Sequence, residues 1–335
     1  MAISTVGNSA LQPGRSCPLH YRYSPSALAC KADFSAETLY VIGGLYGNFP
    51  ALEAMLELAA REPRPVTFVF NGDFNWFNID DAGFRKINSE VLRHHALRGN
   101  VETEITDDDS DAGCGCAYPD YVGADEVGRS NEMLVQLRHT ARRHADLRAR
   151  LAALPMHWVA DVGGVRAAIV HGDLESLAGW SLSQEALATD DIKNNIQKQI
   201  VTSQCRIIAS SHTCLPAALT LDTEQGRCAV FNNGAAGMPN FRDTHFGVIT
   251  RIATTPAKHI EPLYGTDIGT VHIDSLPVHY DHARWQQEFL ANWPIGSAGH
   301  LSYHQRITHG PDYTVGGANR LAVSNGSAAR PIAAA

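Results

Sequence analysis

The chain has 335 residues, 44% of them hydrophobic and 19% charged, and a formal net charge of −8. That balance is expected of a soluble globular protein. No apolar run approaches a membrane span, and the negative charge argues against a nucleic-acid backbone as main partner.

Met1–Gln12 has no basic start followed by an apolar core. A secretory signal is therefore not expected, the seven cysteines are expected to be reduced, and the expected location is cytoplasmic. Residues 1–37 carry Pro, Ser and Gly, but Cys17–Pro25 is aromatic enough to predict an ordered arm packed on the main domain. Thr38–Gly43 is a continuous apolar run, the mark of a buried strand. Pro50 opens a predicted helix reaching Ala60, with Leu52, Met55, Leu56 and Ala59 on one face. A strand at Val66–Phe70, a helix at Asp80–His94 and a short strand at Ala96–Arg98 complete a β-α-β-α-β order. That order predicts a layered α/β fold.

Residues 103–128 read as an inserted loop, with an acidic run at Asp107–Asp111 and a Gly113-Cys114-Gly115-Cys116 turn. The acidic run is read as solvated. Ser130 caps a predicted helix running to about Ala153. Met156–Asp161 and Val165–Val170 form a predicted hairpin around Gly163-Gly164. A helix at Gln184–Ser203 and a buried strand at Arg206–Ala209 follow. Strand runs at 217–221, 228–232, 246–253, 258–263 and 270–273 predict a second, more antiparallel sheet. Helices are expected at Asp281–Ala291 and Ser297–Thr308. The small, polar stretch 314–335 is expected to be disordered. No repeat or linker divides the chain, so residues 38–313 are read as one domain.

Four short stretches fall where strand runs end: Gly72-Asp73, Gly99-Asn100, Val170-His171-Gly172 and Ser211-His212. Strand mouths are where ligand-binding residues gather in α/β proteins. An Asp or Asn after Gly ordinarily caps a turn. Asp73, Asn100, His171 and His212 together make a mixed nitrogen and oxygen set suited to one divalent Mn, Zn or Fe ion.

The order of these stretches resembles the calcineurin-like metallophosphoesterases, whose motifs read DxH, GDxx, GNH(D/E), H and GHxH. Here they stand as Gly43-Gly44-Leu45-Tyr46-Gly47-Asn48, Asn71-Gly72-Asp73, Gly99-Asn100-Val101-Glu102, His171-Gly172 and Ser211-His212-Thr213-Cys214-Leu215-Pro216. Asn232-Asn233-Gly234-Ala235-Ala236-Gly237-Met238-Pro239 is similar to a turn of a small bacterial, phosphodiesterase-like branch. The resemblance covers residues 38 to about 310. It implies a four-layer α-β-β-α sandwich of two mixed sheets. It also implies one intact metal position, held by Asp73, Asn100, His171 and His212. The other position in the family uses the shared Asp and three further ligands; Gly44, Tyr46 and Cys214 stand in the places of those three. Val101 replaces the general-acid His and cannot donate a proton.

Tyr46 and Cys214 admit two readings, a rebuilt second position with a thiolate ligand or a loss in which they fill space. Gly44, with no side chain, favours loss. Cys114 and Cys116 could swing in as further soft ligands beside Cys214, or lie in a turn of no consequence. Glu102 could be a stray carboxylate, a structural acceptor or a substitute proton donor, and Tyr46 could assist catalysis. The expected function is hydrolysis of a phosphate ester or related small molecule at one metal, without nucleic-acid or membrane partners. A catalytically inactive binding or scaffold protein, like a retromer subunit that resembles this branch, is a second reading. New chemistry at a single redox metal is a third. Oligomeric state is not legible in the sequence.

Overall fold

The apolar runs become two sheets packed face to face. The computed structural model describes residues 12–321. In chain order its first half forms β1 (Phe34–Ala36), β2 (Thr38–Ile42), α1 (Phe49–Ala59), β3 (Val66–Asn71), α2 (Asp81–Val91), β4 (His95–Leu97), α3 (Asn100–Thr106), α4 (Ala124–Arg142), α5 (Ala145–Ala152), β5 (His157–Val162) and β6 (Val165–Val170). The second half forms α6 (Asp190–Ser203), β7 (Ile207–Ser210), β8 (Pro216–Thr223), β9 (Gly226–Asn233), β10 (Phe246–Ala253), β11 (Tyr264–Ile268), β12 (Val271–His279), α7 (His282–Asn292), α8 (Ala298–His309), α9 (Val315–Ala318) and β13 (Asn319–Arg320).

Every residue of β2 is buried, so both of its faces need cover. Leu39 and Val41 face Ile169, Ala209 and Phe231 of the other sheet. Tyr40 and Ile42 face the opposite way, into a cluster with Leu52 and Met55 of α1 and Ile87 and Val91 of α2. On the far side, Val159, Ala168, Ile208 and Val230 pack against Ile196 and Ile200 of α6. The layers are therefore α-β-β-α.

One sheet runs β11-β12-β10-β2-β3-β4 and the other β1-β5-β6-β7-β9-β8-β13. β2, β3 and β4 are parallel, with Ile42 opposite Phe70 and Phe70 opposite Ala96. β6, β7 and β9 are also parallel, with Ile169 opposite Ala209 and Ala209 opposite Phe231. The loops after β2, β3, β4, β6 and β7 carry the five motifs, so parallel pairing collects them at strand mouths.

The structure departs from the expected elements in five places. The strand runs expected over 217–273 as one second sheet are divided: β8 and β9 join β7, whereas β10, β11 and β12 join β2. The stretch expected as an inserted loop is helical at both ends, because α3 reaches Thr106 and α4 starts at Ala124. Glu102 reaches back to the Gly99 N–H at 3.0 Å, a local start signal for α3. The helix expected over 130–153 is two helices, broken at His144, whose backbone leaves the helical region. The strand expected at 258–263 lies later, at β11. Pro256 and Pro262 in the preceding stretch have no N–H to give a ladder. Residues 315–320, expected to be disordered, form α9 and β13; β13 pairs with β8, and Arg320 Nη1 donates to Gln184 O at 2.5 Å. Residues 1–11 and 322–335, parts of the expected arm and tail, lie outside the described residues.

The arm from Gln12 onward packs against the loop over the strand mouths. Arg15 donates to Pro119 O at 2.9 Å and Val122 O at 2.7 Å. Tyr21 is fully buried and donates to Glu104 Oε1 at 2.5 Å. Among the described residues no helix is long and apolar enough to cross a membrane.

Candidate metal centre

Gly72 (φ +77°) and Asp73 (φ +54°) both take left-handed backbone immediately after β3. A Cβ at Gly72 would lie 2.6 Å from the Gly99 nitrogen and 2.6 Å from His171 Nδ1. Only glycine permits that approach, which brings the second, third and fourth motifs together.

The four predicted ligands converge. His171 Nε2 lies 3.3 Å from Asp73 Oδ2, 3.1 Å from Asn100 Oδ1 and 3.2 Å from His212 Nδ1. All four side chains are buried. Among the described residues, Asp73, His171 and His212 form the one group of His, Cys, Asp or Glu able to hold a metal ion.

The remaining polar atom of each ligand is fixed by backbone. His171 Nδ1 donates to Asn71 O at 2.8 Å, and His212 Nε2 donates to Cys116 O at 3.0 Å. Asn100 Nδ2 donates to Cys114 O at 2.9 Å, and Asp73 Oδ1 accepts from the Val101 N–H at 3.1 Å. These contacts assign the tautomers and the amide orientation. Two unprotonated ring nitrogens and two oxygens are then aimed at one another. Lone pairs crowded this way repel unless a cation or a proton sits among them. Bonds of about 2.1 Å to a single ion place neighbouring donors roughly 3.0–3.4 Å apart, and the three separations from His171 Nε2 match that spacing for a divalent cation.

Electrostatics agree. Burial disfavours charge on Asp73, yet His171 holds its carboxyl below the usual range. Burial likewise opposes charge on His171, but Asp73 raises it above an ordinary histidine. His212 is pushed down to about 3, first by burial and then by His171, so its imidazole is neutral. A proton on His171 can therefore relieve the crowding, and a cation would displace it.

The neighbouring half is built differently. Tyr46 Oη lies 2.9 Å from Cys214 Sγ. A Cβ at Gly44 would lie 2.9 Å from the ring and hydroxyl of Tyr46, so the tyrosine occupies the space a residue-44 side chain would need. Burial, then Cys214, raises Tyr46 well above an ordinary phenol. Burial raises the Cys214 thiol against the pull of Arg306. Both groups therefore hold their protons.

Glu102 does not line the cleft. Its carboxylate accepts from the N–H groups of Asp73 (2.7 Å), Phe74 (3.1 Å) and Gly99 (3.0 Å) and from Asn75 Nδ2 (3.2 Å). Burial and then Asp73 push its carboxyl up to about 7, against the Gly99 and Asp73 N–H groups. Of the three openings read for Glu102, this geometry is that of a structural acceptor. Cys114 and Cys116 are buried, but neither thiol joins the metal-holding group. Their backbone carbonyls touch Asn100 and His212, and Cys116 Sγ also accepts from Asn100 Nδ2 at 3.5 Å. The Asn232–Pro239 turn ties the sheets together, with Asn233 Nδ2 donating to Gly43 O at 3.0 Å and Val248 O at 2.8 Å.

Above the ligands lies a cleft of about 220 Å³. Trp76, Tyr118, Trp180 and Tyr303 give it aromatic walls, and Arg306 of α8 reaches into it. None of these residues was singled out in the sequence. Arg306 stands in an ordinary amphipathic helix remote from every motif, and no local pattern marks it.

No protein-family model matches the chain, and no curated protein matches it. A metallophosphoesterase from Sphaerobacter thermophilus has a similar solved structure, with a TM-score of 0.51 at 15% identity, covering 82% of this chain and 100% of that one. A hypothetical protein from Pyrococcus horikoshii OT3 is similar with a TM-score of 0.52 at 16% identity, covering 82% of this chain and 99% of that one. The chain thus has the calcineurin-like metallophosphoesterase fold, with a buried Asp73–His171–His212 group at the mouth of its strands.

Proposed function

We propose that the chain is a hydrolase of a small phosphate ester, working with one divalent cation held by Asp73, Asn100, His171 and His212. The carrying observation is that Asp73 Oδ2, Asn100 Oδ1 and His212 Nδ1 all lie 3.1–3.3 Å from His171 Nε2, each residue with its other polar atom fastened to backbone. The site is degenerate in this reading, because the Tyr46 ring stands over Gly44 where the second position would be.

A cation held there would acidify a bound water and polarise a phosphoryl oxygen. In the balanced reaction a water oxygen forms the new bond to phosphorus and the bond to the alcohol oxygen breaks. The leaving oxygen ends with a proton from that water. Val101 supplies no acid for this transfer, so it passes through solvent. The aromatic walls and the cleft of about 220 Å³ suit a small molecule. Glu126 and Glu185 at the rim disfavour a polyanion such as a nucleic acid.

The test is a phosphatase and phosphodiesterase screen of metal-loaded protein, with His171→Ala beside it. Turnover that disappears in His171→Ala is expected. Turnover retained in that variant would overturn the assignment. The filled second position also favours a binding protein that keeps one cation for its structure. Full metal occupancy with no turnover across the screen would select that reading.

A further inference from the structure

We infer that the Arg306 guanidinium is the anion-binding group of the cleft, taking a phosphoryl oxygen on the side where Tyr46 and Cys214 leave no room for a second cation. The inference rests on the phosphoester reading above and adds to it a residue and a binding role.

The argument begins with how Arg306 is held. Its Nε donates to Pro239 O at 3.1 Å and its Nη2 to Cys214 O at 2.6 Å. One carbonyl ends the Asn232–Pro239 turn, and the other belongs to the residue standing in a lost ligand's place. The helix beneath it is anchored too. Arg129 Nε donates to Ser302 Oγ at 2.7 Å, and His282 Nε2 donates to Ile307 O at 2.7 Å. The guanidinium is thus a fixed charge, and its Nη1 end has no protein partner among the described residues.

Three carboxylates, Asp73, Glu126 and Glu185, line the same cleft, but none is seated against that charge. Arg306 is half-buried, and among the described residues no carboxylate forms an ion pair with it. It lines the cleft together with Asp73, Asn100, His212 and Cys214, and no other Arg or Lys does so. An unpaired, half-buried cation beside a metal-holding set favours an anion in the space between them. Its positive charge is also felt by both Tyr46 and Cys214, which sets it beside the filled position. Two-cation sites neutralise phosphoryl oxygens from two sides. Here one side would be a metal and the other the free Nη1 end of Arg306, a charged donor for a phosphoryl oxygen.

The test uses full-length metal-loaded protein, inorganic phosphate as probe and calorimetry as readout. Elemental analysis and a melting curve accompany every variant. Arg306→Gln should weaken phosphate binding about tenfold to a hundredfold, the loss of a charged hydrogen bond, while keeping its metal. Arg306→Lys should retain most of the affinity, which guards against an effect of losing the two carbonyl contacts. Phosphate bound by Arg306→Gln as tightly as by wild type would overturn the role of Arg306 and leave the metal assignment standing. Wild-type protein that takes up its metal but binds no phosphate would overturn the role and the phosphoester reading together. Protein that takes up no metal, yet shows the Gln against Lys contrast, would uphold Arg306 and sink the metal assignment alone.

Discussion

The two halves of the strand mouth use similar loops to opposite ends. On the Asp73–His171 side, each of Asp73, Asn100, His171 and His212 spends its outer atom on a backbone partner and turns its inner atom toward the others. On the Gly44–Tyr46 side, the side chains bond to each other, and an aromatic ring fills the space. A site that must hold a cation leaves lone pairs facing one another and fixes them from outside. A position filled by a ring satisfies its own polar atoms and packs. Tyr46 and Cys214 both take left-handed backbone (φ +55° and +63°), as Asp73 does (φ +54°). The loop geometry is therefore similar on both sides, and the side chains make the difference.

The largest expected effect breaks the intact half. His171→Ala should weaken metal binding by more than about a hundredfold, since loss of a mere outer partner of a ligand already costs 10–100-fold. The fold should persist, because His171 follows β6 and the sheet core lies before it. Metal titration beside a melting curve checks both. Lowering the pH should act in the same direction. His171 holds its proton more tightly than an ordinary histidine, and proton and cation compete for Nε2. Metal affinity should therefore fall as pH drops through that raised range. Affinity flat across it would mean His171 is no ligand.

The next effect reads the filled half. Turnover of simple aryl phosphates should lie about a hundredfold or more below that of two-metal phosphoesterases, because one positioned charge and the acid at Val101 are missing. Their losses need not add. Rates equal to two-metal enzymes would show that other residues have restored the chemistry.

A smaller effect tests the ring itself. Gly44→Asp should destabilise the protein by about 1–3 kcal/mol, since its Cβ would collide with Tyr46. Tyr46→His should relieve part of that cost when combined with it. A Gly44→Asp protein as stable as wild type would show that the ring is easily displaced. The smallest effect is expected at the covering loop. Cys114→Ser with Cys116→Ser should leave metal content unchanged, because that loop meets His212 and Asn100 chiefly through carbonyl oxygens, and a serine hydroxyl can still accept from Asn100 Nδ2. Loss of metal in this double variant would make the thiols ligands.

The layered fold was legible because buried parallel strands need apolar residues on both faces, as β2 and β3 show. The convergence of the four side chains was legible because each follows a strand end, and parallel pairing gathers strand ends. What was missed depends on packing between distant segments. Glu102 stays open among three readings until four N–H groups are seen to close around it. The order of residues 315–320 comes from β8 and Gln184, more than a hundred residues away in the chain. Arg306 becomes a cleft residue only when α8 lies across the fifth motif. The filling of the space beside Gly44 turned on a ring meeting a glycine two residues earlier, a contact that neither residue type announces alone.

Metal stoichiometry tests the contrast between the halves most directly. Elemental analysis of purified protein, loaded with excess Mn or Zn and then desalted, should find one ion per chain, and His171→Ala treated identically should hold almost none. Two ions per chain, or a His171→Ala protein as fully loaded as wild type, would contradict a site with one working half.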